Sequence, residues 1–162
     1  MKQLDWVMER ISSGLQFIAT LMLIGIVIVN IVNVVGRYGF SQPLETAEEL
    51  MIFMLTIAVF FCFPRCTKDD EHIRMDLIRG RASGRVRKVW DLLLELVHFG
   101  VTLVVIYLGV PTVAKLFAWG QVSSATNIPM WLVHSVVPFG FGLASVILFL
   151  KIVQLIRNWG RS

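Results

Sequence analysis

The sequence predicts an all-α integral membrane protein of four transmembrane helices with both termini in the cytoplasm, and three observations predict it. Apolar residues make up 56% of the 162-residue chain and charged residues only 16%, where soluble domains average about 45–50% and about 25%. The apolar residues fall into four blocks, each long enough for the roughly 20 residues that cross a bilayer. Lysine and arginine gather on one side of those blocks, as they do in cytoplasmic loops. The mean hydropathy of +0.74 agrees.

The first apolar block, Leu15 to Val35, ends in Gly36, Arg37 and Tyr38. It is longer than the roughly 7–15-residue core of a secretory signal and lacks a small-residue cleavage site. It is expected to stay in the protein as helix 1, about 11–35. Helix 2 is expected over about 43–63: Pro43 suits a first helical position, where a missing N–H costs nothing, and Pro64 stops the helix. Helix 3 lies within 89–117 and helix 4 within 129–156, with Pro111 and Pro138 expected to kink them. The charged segment Arg65 to Lys88 joins helices 2 and 3, and the uncharged loop Gly120 to Asn127 joins helices 3 and 4. In the stretch His72 to Arg81, Ile73, Met75 and Leu77 alternate as in a strand, whereas Ile73, Leu77 and Ile78 fit one helix face. A lone strand beside a membrane leaves its backbone unsatisfied, so a short interfacial helix is favoured. Residues 1–162 read as a single four-helix membrane domain.

Topology follows from counting charges. Lys2 and Arg10 precede helix 1; Arg65, Lys68, Arg74, Arg79, Arg81, Arg85, Arg87 and Lys88 lie between helices 2 and 3; Lys151, Arg157 and Arg161 close the chain. That places thirteen of the fifteen basic residues on one side and leaves Arg37 and Lys115 toward the other. The basic side is assigned to the cytoplasm. Tryptophan prefers the membrane–water boundary, and Trp6, Trp90 and Trp159 fall at the inner edges, Trp119 and Trp131 at the outer ones.

Few residues point to chemistry. The net charge of +4 suits loops that set topology and meet anionic lipid, so membrane lipids are expected partners and nucleic acid is not. Cys62 and Cys66 lie at the cytoplasmic end of helix 2, with Pro64 expected to interrupt any shared face. Ordinary reduced thiols are expected there. His98 and His134 sit about 9 Å inside and roughly 13 Å outside the midplane, too far apart in depth to hold one haem iron. No cofactor or metal is expected. Asp91, Glu95 and His98 share one face of helix 3, where Arg87 is a natural partner for Asp91. Asn30, Asn33 and Thr56 lie within spans, and the amides are expected to face another helix rather than lipid. No span carries a charge near its centre, so the chain is poorly equipped to move a charged substrate alone.

The outer segment RYGFSQPLETAEEL, Arg37 to Leu50, is the densest cluster. Glu45, Glu48 and Glu49 are expected in the first two turns of helix 2, where the helix dipole favours carboxylates. Arg37 is the expected counter-charge to Glu48 or Glu49, forming a clasp that fixes the hairpin or receives a partner. A catalytic carboxylate pair is the sharper alternative, without a base, nucleophile or metal ligand set to support it. In helix 4, Gly140 and Ala144 form a small-xxx-small pair, which either admits another helix closely or reflects the ordinary frequency of glycine in membrane helices.

These residues also carry a resemblance. Arg37-Tyr38-Gly39-Phe40, Pro43-Leu44, Glu48-Glu49-Leu50, then His72-Ile73-Arg74-Met75-Asp76-Leu77 and Asn127-Ile128-Pro129-Met130-Trp131 resemble the small (DctQ/SiaQ-like) membrane subunit of tripartite ATP-independent periplasmic (TRAP) transporters over about Asn30 to Leu148. The run Cys62 to Asp70 departs from it. The resemblance implies a non-catalytic subunit of the bacterial inner membrane. It would scaffold a large elevator-type subunit in a stable heterodimer and help dock a periplasmic binding protein, in a sodium-coupled system for an organic acid of the C4-dicarboxylate or sialic acid class. Its motif residues, Arg37, Tyr38, Glu48, Glu49, His72, Arg74, Asp76, Pro129 and Trp131, become structural or partner residues, with Glu45 added from the outer acidic cluster and Gly140 and Ala144 by packing. The rival is a small four-helix membrane enzyme, a lipid- or glutathione-linked transferase or a quinone-linked redox protein, using Asp91, Glu95, His98 or the cysteines.

Overall fold

The computed structural model describes residues 2–42, 44–68 and 85–159. They form α1 (Lys2–Gly39), α2 (Ala47–Lys68), α3 (Arg85–Ala118) and α4 (Met130–Trp159). All four helices are long and apolar enough to cross a membrane, as the apolar blocks require. The expected interfacial helix, with His72, Arg74 and Asp76, lies outside the described residues, as does Pro43.

The helices outrun the apolar blocks that announced them. α1 has 38 residues and so extends ~57 Å. Its N-terminal turns include Met8, Glu9 and Arg10, good helix formers, and Arg10 lies over the Trp6 ring at 4.6 Å. α2 differs from expectation at both ends. It begins at Ala47, which leaves Glu45 in the turn before the helix, and it continues through Pro64 to Lys68. Pro64 removes one donor, so the Phe60 carbonyl four residues earlier loses its helical partner. α4 compensates by packing there: a Cβ built at Gly140 would run into the Phe60 carbonyl oxygen, so only glycine lets the two backbones meet. Pro111 and Pro138 likewise sit inside continuous helices.

The four helices form an open row. α1 rests mainly on α2, α2 on α4, and α4 on α3. The core follows α2 and α4, with Ala58, Ala144, Ile147, Leu148 and Ile152 buried. Phe63 meets Phe141 at 4.6 Å across that interface, and Gly109 of α3 lies against Pro138 of α4. Gly140 and Ala144 therefore make a close contact inside the chain, with Ala144 0% exposed.

Two turns close the row at the end away from the termini. Gly120 has φ +59°; its N–H donates to Phe117 O and the Gln121 N–H donates to Leu116 O. This paired return is a Schellman ending, which glycine adopts without strain. α1 ends with Ser41 at φ 54° and the Gln42 N–H donating to Gly36 O at 2.9 Å. The returning chain crosses Gly36 so closely that a Cβ there would stand 2.8 Å from the Gln42 oxygen.

Candidate functional site

The polar groups concentrate in two clasps, one at each end of the row. At the loop end, the Leu44 N–H donates to Asn33 Oδ1 at 3.1 Å, which ties the connection before α2 back onto α1. Asn33 is 8% exposed, so its amide has found a partner as expected. Asn30 is exposed, so among the described residues no helix of this chain covers it. Three residues on, Asn33 has turned toward α2, and Asn30 stays on the flank.

The first turn of α2 carries Glu48 and Glu49, where the dipole favours them. Arg37 reaches Glu48 at 3.7 Å, with side chains 48% and 75% exposed; such an open pair contributes little on its own. Glu49 takes no part in it. Its Oε2 accepts from the Ala125 N–H at 3.0 Å, the Thr126 N–H at 2.9 Å and the Thr126 hydroxyl at 3.2 Å. Ser123 and Thr126 hydroxyls lie 2.8 Å apart beneath it. One carboxylate thus staples the α1–α2 hairpin to the loop of the α3–α4 hairpin. The anticipated clasp exists, but it is two clasps: Arg37–Glu48 within one hairpin, Glu49 between hairpins.

The receiving loop is held by the Ser123 N–H donating to Ile128 O and the Met130 N–H donating to Gln121 O, both at 3.0 Å, with Asn127 at φ 56°. Pro129 bridges Val122. Trp131 stacks edge-on against Phe117 at 5.4 Å. Tyr38 and Glu45 are exposed at the same end. Sequence reasoning missed Ser123, Ala125 and Thr126, noting only an uncharged loop. The available signal was its density of hydroxyls and backbone donors opposite a carboxylate. A second signal was Thr46-Ala47-Glu48-Glu49, which has the capping-box spacing yet sends its glutamate elsewhere.

At the termini end, Lys68 pairs with Glu9 at 3.3 Å, Arg65 donates to the Ser13 hydroxyl at 3.4 Å, and Lys151 donates to the Thr67 carbonyl. The last contact satisfies a carbonyl that the end of α2 leaves open. The cysteines depart from expectation in one respect, the face they share. Because α2 passes through Pro64, Cys62 and Cys66 share a face with sulfurs 3.8 Å apart, and neither is in a disulfide. His98 packs edge-on to Phe63 at 6.2 Å, and His134 Nδ1 lies 2.9 Å from Met130 O. The Arg87 side chain expected beside Asp91 lies outside the described residues. Among the described residues no three His, Cys, Asp or Glu converge as metal ligands would.

Among the described residues this geometry braces helices. The family model for tripartite ATP-independent periplasmic transporters, DctQ component, matches residues 26–158. The chain belongs to this family. It is therefore a small permease subunit of a TRAP transporter, a multi-pass protein of the bacterial inner membrane, and the membrane-enzyme alternative is set aside. The small permease is also similar to the ectoine TRAP transporter small permease protein TeaB of Halomonas elongata, with 23% identity over 131 residues covering 79% of this chain and 68% of the relative. TRAP small permeases work with a large membrane subunit and a binding protein. The match includes Asn30, the Arg37–Glu48 pair, the Glu49 staple and the Gly140 contact.

Proposed function

We propose that this small permease is the stationary, non-catalytic brace of a sodium-coupled transporter for an organic acid. It holds a large elevator-type subunit in a stable heterodimer and helps a periplasmic binding protein to dock transiently. The observation that carries this reading is where the charges sit. No charged residue lies between Arg10 and Arg37, between Glu49 and Arg65, between Glu95 and Lys115, or between Lys115 and Lys151. A chain without Asp, Glu, Lys or Arg across its spans is poorly equipped to conduct Na⁺ or a carboxylate, whereas clasps at both row ends suit a fixed element. Thirteen of the fifteen basic residues fall before Ile11, from Arg65 to Lys88 or from Lys151 onward in the sequence, which supports placing both termini in the cytoplasm and the Glu49 staple on the periplasmic side. His72, Arg74 and Asp76 belong, on this reading, to an inner-surface segment against lipid or partner, and Arg37, Tyr38, Glu45, Pro129 and Trp131 to the face a binding protein approaches.

The test is recovery of the tagged chain from its native membrane in mild detergent, followed by sodium-dependent uptake by the recovered assembly in vesicles. One much larger multi-span protein in about equal amount is expected, with uptake of a C4-dicarboxylate or a sialic acid; ectoine, for which the relative is named, is the comparison solute. A homogeneous homo-oligomer without such a partner would end this reading.

A further inference from the structure

α1 is an edge of the row, resting mainly on α2 along a line that includes Ser12, Ala19 and Asn33, all buried. One position further round, Gln16, Thr20, Leu23, Val27, Asn30 and Val34 are exposed throughout. Their steps alternate four and three, so the stripe keeps to one face for about five turns. Thr20 returns its hydroxyl to the Gln16 carbonyl at 3.0 Å. The side-chain amides of Gln16 and Asn30 have no hydrogen bond among the described residues. Both stand inside the uncharged block between Arg10 and Arg37, which is long enough to cross the hydrocarbon core of a bilayer. Lipid is poor cover for two such groups on one stripe. The other edge helix, α3, differs: apart from Tyr107, its exposed middle is Val101, Leu103, Val104, Leu108 and Val110, which acyl chains cover well.

We infer that the Gln16–Asn30 stripe of α1 is the seam on which one transmembrane helix of the large permease subunit docks. That helix offers hydrogen-bonding groups at two depths about 21 Å apart, the rise between the two amides. A single helix meets both levels only if it runs alongside α1 at a shallow angle, and the four-three repeat favours a crossing of roughly 20°. Leu23 and Val27 between the amides supply the packing. The inference rests on the transporter-subunit reading for the partner, but the choice of face comes from α1 itself.

The experiment uses the complex in its native membrane. A photo-cross-linking residue is introduced as Val27→p-benzoylphenylalanine, and as Val104→p-benzoylphenylalanine on α3 for contrast. Separately, the paired variant Gln16→Leu, Asn30→Leu is compared with Asn30→Gln for recovery of the large subunit at equal amounts of tagged chain. The expected result is an adduct of large-subunit size from position 27 and not from 104. Recovery should fall about tenfold in the leucine pair, the effect of losing two interhelical hydrogen bonds, and be largely kept in Asn30→Gln. A large subunit that co-purifies but cross-links only through 104, or is recovered equally with the leucine pair, overturns the seam. An adduct at twice 18.4 kDa overturns it in favour of a second copy of the chain. If the unaltered chain brings down no large subunit, the functional reading fails and the seam with it.

Discussion

Glu48 and Glu49 are neighbours in the chain but about 100° apart around α2, so each meets a different element. Arg37 takes Glu48 in an open pair at 3.7 Å, and three donors of the α3–α4 loop converge on Glu49. Removing Glu49 takes the acceptor from the Ala125 N–H and unties the loop from α2, although Ser123 Oγ stays within reach of the Thr126 N–H and hydroxyl. Glu49→Ala is therefore expected to lower the unfolding temperature in detergent clearly. Glu49→Gln, which keeps an acceptor oxygen, should lie in between. For the outer pair, Arg37→Glu should cost no more than about 1 kcal/mol and be restored by Glu48→Arg. The same reversal at Glu49 should deepen the defect, and equal rescue by either glutamate would show that the two are interchangeable. The charges at Arg37, Glu48 and Glu49 could be read from sequence as a cluster, but not their pairing, because pairing depends on helix phase and on where α2 begins. The start at Ala47 in place of 43 shifted Glu45 out of the helix altogether.

At the scale of elements, hydropathy and charge located every described helix, since the signal for a span is additive over many residues. The ends were less legible. Polar residues that extend α1 to Lys2 and α2 to Lys68 carry no apolar signal, and proline was given more power to break α2 than it has. Pro64 is tolerated because its cost, one orphaned carbonyl at Phe60, falls where Gly140 brings another backbone close enough to cover it. A C–H donor of Gly140 is well placed for such weak bonding. The small-xxx-small spacing hinted at a close contact; that the partner is α2 of the same chain required the fold. Gly140→Val should drive a side chain into backbone and cost about 1–3 kcal/mol or more, read as lower thermal stability of the detergent-solubilised protein. The same change at Gly142, around which a Cβ meets nothing within 4 Å, is the matched control and should be nearly silent.

For the whole molecule, the strongest expectation concerns sidedness. Single cysteines introduced at Ser124 and near either terminus, in a background with Cys62→Ser and Cys66→Ser, should label from opposite sides of the membrane. Ser124 should react with an impermeant maleimide added to intact cells or spheroplasts, and the terminal positions only after permeabilisation. Labelling of all three from outside would invert or break the topology. Four helices were expected to gather into one domain, but nothing in the sequence showed that they lie as a row in the order α1, α2, α4, α3, because hydropathy marks a lipid-facing and a helix-facing residue alike.

A row one helix thick has no interior away from its two middle helices. Made without its partner, the chain would hold Gln16 and Asn30 against acyl chains, the kind of exposure that membrane proteases and chaperones detect. Its half-life in cells lacking the partner should shorten severalfold, measurable by pulse-chase, and Asn30→Leu should lengthen it again. Matched subunit numbers would then need no matched synthesis: surplus copies are the ones that display uncovered amides, and so the ones destroyed.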